Sequence, residues 1–436
     1  MFSAFPACRT SACHVFVVLA ATWLGLAERA EAENWPQWRG PRNNGVSSET
    51  NLPVTWSKSE NILWRASLPG PAGATPVVWD DKIFLTSAKG QELVLVCLNT
   101  SGKVLWERKV GSGDQPVRGD EGNMASPSPS TDGKHVWAFM GSGDLACYTV
   151  AGKQVWQLNV GKRFGPLNIA FGMTSTPVLD GNRLYLQLLH TNGALVIALD
   201  ALTGKNVWVH KRPSDAKDEC LHSYASPILY RDNDQEFLLV HGADYITAHS
   251  LKDGKELWRC GGLNPPGKYN HTLRFVASPA VTEGLIVVPS AKNGPILALE
   301  PASHGDITST SQGHVWRRDE NTPDVPSPLI YGGLVYLCRE SGLLLCLDAQ
   351  TGREYYYERT HSHRHRASPV YADGKIYLTA RDGVVTVVKA GREFEILATN
   401  ELDEAISSSP AISNGRIYLR AFDALYCIGS NQPAAK

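Results

Sequence analysis

Eight times along the chain a Ser or Thr is followed directly by Pro and then by an apolar run. The copies fall at Thr75-Pro76, Ser126-Pro127, Thr176-Pro177, Ser226-Pro227, Ser278-Pro279, Ser327-Pro328, Ser368-Pro369 and Ser409-Pro410. The steps between them span 41 to 52 residues. That is enough chain for four short strands with their turns and too little for a separate domain, so each copy must bury its apolar face against the next. A length of 436 residues would alone suggest two or three ordinary domains. The repeat overrules that count.

Each copy has the same internal grammar. PVLDGNRLYLQ from Pro177, PVYADGKIYLT from Pro369 and PAISNGRIYLR from Pro410 each place Asp-Gly or Asn-Gly between two alternating runs, the mark of a tight antiparallel hairpin. A third strand ends in Ala-Leu-Asp-type sequence, as at Ala198-Leu199-Asp200, and a Gly turn leads into a fourth strand with an aromatic ring four residues on. Gly102 to Trp106, Gly152 to Trp156, Gly204 to Trp208, Gly254 to Trp258 and Gly352 to Tyr356 share this step, while Trp316 and Phe394 follow Gly313 and Gly391 by three. A large ring at a fixed place in every fourth strand suits the wedge between packed sheets, so these positions are read as docking residues. Thr203-Gly204-Lys205 lacks the rest of a phosphate-binding loop and is read as a hairpin turn.

Trp64, in ILWRASL, is a fourth-strand aromatic that precedes the first copy, whereas the last copy stops after its third strand at Cys427-Ile428. The expected fold is therefore all-β: an eight-bladed β-propeller of four-stranded antiparallel blades, closed by the N-terminal strand completing the last blade. The expected division is a signal peptide at 1–32, an extension with the WPQWRGP segment at 33–60, the propeller at 61–429 and a tail at 430–436.

The Ala-x-Asp-x-x-Thr-Gly-x-x-x-Trp pattern from Ala198 to Trp208 resembles the signature of PQQ-like repeat propellers, and the resemblance covers about residues 61 to 429. Trp35-Pro36-Gln37-Trp38-Arg39-Gly40-Pro41, with Gly45 and Ser47, looks like the start of secreted PQQ-repeat proteins of planctomycete-type bacteria. Two branches share this architecture. One contains quinoprotein alcohol and glucose dehydrogenases, which bind pyrroloquinoline quinone (PQQ) and calcium. The other contains protein-binding propellers, including the outer-membrane β-barrel assembly lipoprotein B. This chain lacks the adjacent cysteine pair of the large quinoprotein dehydrogenases, any haem-attachment motif and a recognisable calcium set, so no catalytic residue is carried over. The resemblance thus implies a non-catalytic binding or interaction scaffold, with a PQQ-dependent dehydrogenase acting on alcohols or sugars as the alternative.

The formal charge is −1 with both signs interspersed, which leaves no basic face for nucleic acid. Arg9, an apolar run from Val15 to Ala27 and the small-x-small step Ala30-Glu31-Ala32 read as an export signal, with an uncleaved anchor as the alternative. Beyond it no run approaches the ~20 apolar residues of a membrane-spanning helix. A periplasmic or extracellular monomer with a protein or polymer partner in the cell envelope is expected. After removal of Cys8 and Cys13 with the signal, seven cysteines remain, an odd number. Cys97, Cys147, Cys346 and Cys427 alternate with Ala198, His249 and Ala298 in matching contexts, which reads as a small buried strand position and not as a disulfide framework.

In a propeller the loops that lead into each first strand open on the funnel, where polar groups of successive blades converge. These loops contain Asn123 and Met124, Phe171 to Thr174, His222 and Tyr224, His271 and Arg274, Asp324, the run His361 to Arg366, and Glu404. Asn123, His222, Tyr224, His271, Arg274, Asp324, His363, His365 and Arg366 are the candidate ligand-binding residues. An extended His361-Ser362-His363-Arg364-His365-Arg366 would put its histidines on one side and its arginines on the other. His361, His363 and His365 could then ligate zinc or copper, or the run could be a solvated basic loop. The WPQWRGP segment is expected to pack Trp35 and Trp38 onto the propeller, with a partner-binding role as the alternative.

Overall fold

The computed structural model describes residues 1, 2, 4, 33–118 and 121–430. Apart from residues 1, 2 and 4, the expected export signal lies outside them, as does the tail beyond residue 430. From Ala32 onward the chain forms one compact unit.

Eight sheets make up that unit. Blade 1 consists of Val77–Trp79, Lys82–Lys89, Glu92–Asn99 and Val104–Ser112, antiparallel and hydrogen-bonded in that order. Blade 8 consists of Ala411–Ser413, Arg416–Arg420 and Ala424–Ile428, and its fourth strand is Ile62–Ser67 from the other end of the chain, with Trp64 opposite Cys427. The ring therefore closes by strand exchange between the ends, which leaves no open sheet face at the junction. Blade 4 carries an additional fifth strand, Gly305–Asp306, parallel to its fourth strand Glu256–Cys260.

Burial follows from this stacking. The third strand of blade 1, ELVLVCLN, buries six consecutive residues because sheets cover both of its faces, so it reads as a continuous apolar run. The fourth strand of blade 3, Asn206–Lys211, has fewer neighbours, and it buries Trp208 while exposing Val207 and Val209. At Asp373-Gly374 and Asn414-Gly415 both turn residues have positive φ, 52° and 70° in the first and 54° and 65° in the second. This backbone matches the twist of the flanking strands and selects the Asp-Gly and Asn-Gly sequences.

The recurrent Gly and Trp meet across blades, not within one. The Nε1 of Trp64 donates to Thr100 O at 2.9 Å, Trp106 to Val150 O at 3.1 Å, Trp156 to Ala201 O at 2.8 Å, Trp208 to Leu251 O at 3.1 Å and Trp316 to Ala349 O at 2.9 Å. Each acceptor lies in the third-to-fourth strand turn of the next blade. A Cβ on Gly102, Gly152, Gly204, Gly254 or Gly352 would come within 2.9 Å of that indole. Trp258 differs: it pairs with the inserted Gly305, and a Cβ on Gly313 would meet Ser303 and Ile307 instead. Tyr356 packs on Phe394, ring centroids 5.3 Å apart.

Opposite each ring stands a small residue on the third strand: Cys97 faces Trp106, Cys147 faces Trp156, Ala198 faces Trp208, Ala298 faces Trp316 and Cys346 faces Tyr356. In blade 4 that residue is Ala248, opposite Trp258, so the sequence alignment on His249 was one residue out. All seven cysteines among the described residues are buried and free.

The Ser/Thr-Pro copies form a relay around the axis. The N–H of Thr75 donates to Ser128 Oγ at 2.9 Å, Ser128 to Thr176 at 3.1 Å, Thr176 to Ser226 at 2.9 Å and Ser226 to Ser278 at 2.8 Å. Ser278 continues it to Ser327 at 3.0 Å, Ser327 to Ser368 at 3.0 Å and Ser368 to Ser409 at 2.9 Å. The blade 2 member is Ser128-Pro129, not Ser126-Pro127. With Ser-Pro-Ser-Pro in the sequence both registers fit the pattern, and only the pairing of Ser130–Thr131 with the next strand selects the second.

Candidate functional site

The residue two positions before each relay member lines one mouth of the axial channel. Gly73, Ser126, Thr174, Tyr224, Val276, Val325, Arg366 and Ser407 form this rim, and the loops add Val117, Arg118, Glu121, Gly122, Phe171 and Arg274. They enclose about 190 Å³. Beneath lies a layer of about 150 Å³ walled by the hydroxyls of the relay, with Trp38 at the same level.

Charge at the mouth is held in fixed contacts. Arg366 Nη2 donates to Glu121 Oε1 at 2.6 Å, and Arg364 Nη1 reaches the same oxygen at 2.8 Å. Arg274 donates to Glu219 Oε1 at 3.0 Å, and its guanidinium lies 5.2 Å from the centre of the Phe171 ring. Arg118 lies 5.5 Å from the same ring. Phe171 is thus flanked by two cations, a favourable geometry for an aromatic face, and it also packs on Tyr224 at 6.0 Å.

Three of the nine sequence candidates, Tyr224, Arg274 and Arg366, meet at this mouth. The other six lie elsewhere. Asn123 is buried and fixes its own loop, donating to Pro71 O at 2.7 Å and accepting from the Ala125 N–H at 3.0 Å. His222 Nε2 contacts the Thr191 hydroxyl at 2.8 Å, and burial holds its pKa below the usual imidazole range. His271 pairs with Asp218 at 2.6 Å on the surface. Asp324 gives its backbone N–H to Glu340, whose pKa burial raises. Glu404 binds Arg65 at 2.7 Å.

The His361 to Arg366 run does separate its side chains. Its arginines converge on Glu121, while His361 Nε2 contacts Asp382 Oδ2 at 2.7 Å and His363 Nδ1 lies 3.7 Å from the other oxygen. His365 is fully buried with its Nδ1 3.0 Å from His363 O, and desolvation pushes its pKa down to about 4. Among the described residues no group of three or more His, Cys, Asp or Glu side chains is placed to hold a metal ion.

Sequence reasoning missed Arg118 and Glu121, which sit in a long blade 1 to blade 2 loop with no repeat position to mark them. The WPQWRGP segment packs Trp35 onto the propeller as expected, but its path across the opposite end was not legible. Trp35 pairs its backbone with Val78 at 2.8 Å in both directions, Thr131 N–H donates to Pro36 O at 2.9 Å, and Tyr371 N–H donates to Gly45 O at 2.9 Å. Residues 35–47 therefore span blades 1, 2 and 7. At their centre Arg39, 2% exposed, donates to Pro369 O at 3.0 Å, Pro328 O at 2.8 Å and Asn44 O at 3.1 Å. Burial without a carboxylate partner pushes its pKa down to about 9. A side chain at Gly45, which has φ +78°, would collide with that guanidinium at 2.7 Å. The channel is accordingly a pit, floored by the N-terminal segment and open on the loop face.

Eight four-stranded blades around such a pit define the class: a β-propeller with a funnel at one end of its axis. The family described as "outer membrane protein assembly factor BamB" matches residues 45–186, 121–356 and 303–393, and the chain belongs to this family of PQQ-like repeat propellers. No curated protein sequence matches the chain. BamB from Moraxella catarrhalis superposes with a TM-score of 0.64 at 15% identity, over 85% of this chain and 99% of that one. A europium-containing methanol dehydrogenase gives 0.68 at 12% identity over 90% of each chain. The quinohemoprotein alcohol dehydrogenase from Comamonas testosteroni gives 0.66 at 13%, over 92% of this chain and 82% of that one. At such identities the likeness is one of fold.

The sequence resemblance to quinoprotein dehydrogenases raises PQQ with calcium as a cofactor, and the mouth residues do not fit it. Calcium takes six to eight oxygen ligands, several of them carboxylates. Among the described residues Glu121 is the one carboxylate lining the mouth, against three arginines, and it is already shared by Arg364 and Arg366.

Proposed function

We propose that the protein is an exported, non-catalytic binding propeller of the cell envelope, with the open mouth of its axial channel as the contact surface for a protein or polymer partner. The observation that carries this reading is the asymmetry of the channel. At one end residues 35–47 close the axis and leave a cleft of about 560 Å³ to the side, between themselves and blades 1 to 5, while at the other end the axis opens into a concave rim of apolar and charged side chains. Membership of the BamB family supports a binding role outside the cytoplasm. Among the described residues no helix is long and apolar enough to cross a membrane.

Site-specific photocrosslinking tests the reading. A crosslinker at Ser407 on the rim is expected to capture a discrete partner from native envelope extract, and one at Glu283 on the sealed face is not. Equal capture at both positions would refute the assignment of the surface. Titration with PQQ and calcium provides the second arm: a saturable change in quinone absorbance together with dye reduction on alcohols or sugars would overturn the non-catalytic reading.

A further inference from the structure

We infer that the axial pit is a receptor for an organic carboxylate: the acid group enters along the axis toward the hydroxyl layer, and an apolar body rests on Phe171 and the rim valines. The inference rests on the mouth being the contact surface and specifies what it recognises.

The wall of the pit carries a ring of hydroxyls with protons to give. In the relay the oxygens of Ser128, Thr176, Ser226, Ser278, Ser327, Ser368 and Ser409 each accept a backbone N–H from the preceding blade. A hydroxyl that accepts in this way still has its own proton to give. All seven line the layer beneath the mouth, and each keeps its proton and one lone pair, so the ring can donate to a group on the axis. What satisfies a ring of O–H donors is an acceptor-rich group on the axis.

The rim adds charge of the matching sign. Of the three arginines that line the mouth, Arg274 is held by Glu219 and Arg366 by Glu121, which leaves Arg118 to carry the unbalanced charge among the described residues. Arg366 also has its Nε buried without a partner, an unmet donor on the same wall. Arg118 is exposed, so an incoming anion can reach its guanidinium, and it has no carboxylate within ion-pair distance among the described residues. Hydrogen bonds from guanidinium to carboxylate are among the strong ones in proteins and favour a planar acid. Val117, Phe171, Val276 and Val325 make the remaining wall apolar, which an inorganic oxyanion would leave uncovered and an organic acid would bury.

Isothermal titration of the purified protein with hexanoate, hexanol, inorganic phosphate and a leucine-ending tetrapeptide, as free acid and as C-terminal amide, tests this. Hexanoate is expected to bind, to weaken about tenfold in Arg118→Gln and again in Arg366→Gln, and to weaken as salt rises. Arg118→Gln changes an exposed side chain, so loss of binding there is not loss of fold, and its thermal midpoint is expected to match the parent. If the free-acid peptide binds tighter than hexanoate while its amide does not bind, the carboxylate is that of a chain end. If hexanoate binds as well or better, it is that of a small acid. Binding of hexanol equal to hexanoate, phosphate competing as well as hexanoate, or affinity indifferent to both substitutions would overturn the inference. If the Ser407 crosslink survives while hexanoate fails to bind, the ligand class is wrong and the binding surface stands. If hexanoate binds while the crosslink forms equally at Glu283, the surface assignment fails.

Discussion

The two ends of the axial channel use the same side chain in opposite ways. At the sealed end Arg39 is buried, donates its hydrogen bonds to backbone carbonyls, and ties the N-terminal segment to blades 6 and 7. At the open end Arg118, Arg274 and Arg366 line the cavity, and two of them are held by carboxylates. A guanidinium costs free energy to bury without a counter-ion, so the sealed end gives up some stability to fix a segment in place. At the open end the pairing carboxylates hold Arg274 and Arg366 in position. The contrast separates a structural plug from the proposed recognition surface on one axis.

The largest expected effect lies at the plug. Trp35 has no exposed surface and packs in the core shared by blades 1, 7 and 8. Trp35→Ala should cost about 4 kcal/mol in chemical denaturation. A loss below about 1 kcal/mol would show that residues 35–47 are an ornament on the ring and would erase the contrast.

Acid should act next, on the loop that carries Arg364 and Arg366. Desolvation lowers the His365 pKa from 6.5 to about 4 in the folded chain. The unfolded chain takes up this proton first, so stability falls as the pH drops below about 6.5, and the loss is complete below about 4, reaching about 3 kcal/mol. Unfolding free energies measured across that range should flatten in His365→Leu. An unchanged acid limb in that variant would exclude the imidazole as its source.

Arg39→Met at the sealed end should destabilise by about 2 kcal/mol, because orphaned buried carbonyls cost more than relief of guanidinium desolvation returns. A stabilised Arg39→Met protein would reverse that balance. The smallest effect is expected from Glu121→Gln, which releases Arg364 and Arg366 at a partly exposed site. Thermal unfolding should register about 1 kcal/mol or less, while hexanoate affinity rises several-fold. A fall in affinity would mean that Glu121 positions Arg366 more than it neutralises it.

Much of the ring was legible because local physics repeats eight times. Asp-Gly and Asn-Gly marked the hairpins, the unpaired Trp64 marked the closing strand, and the small residues of the third strands marked buried positions. Legibility ended wherever two registers fitted equally. Ser126 and Ser128 both precede Pro, and Ala248 and His249 are adjacent, so only strand pairing chose between them. Of the candidate site, Tyr224 and Arg366 lie at the rim position two residues before a relay member, a count that sequence alone permits. Arg118 and Glu121 do not, because their loop has a length and path unlike those of the other blades.

Taken alone, the amino-acid order set the number of blades, their hairpins and the exchange of strands between the chain ends, because these depend on short-range periodicity and turn chemistry. The tertiary structure decided that five of the fourth-strand Trp residues rest on the glycine of the following blade, that Arg39 floors the channel and that three arginines gather at its mouth. Those contacts join residues tens to hundreds of positions apart, and their geometry exists only once the circle has closed.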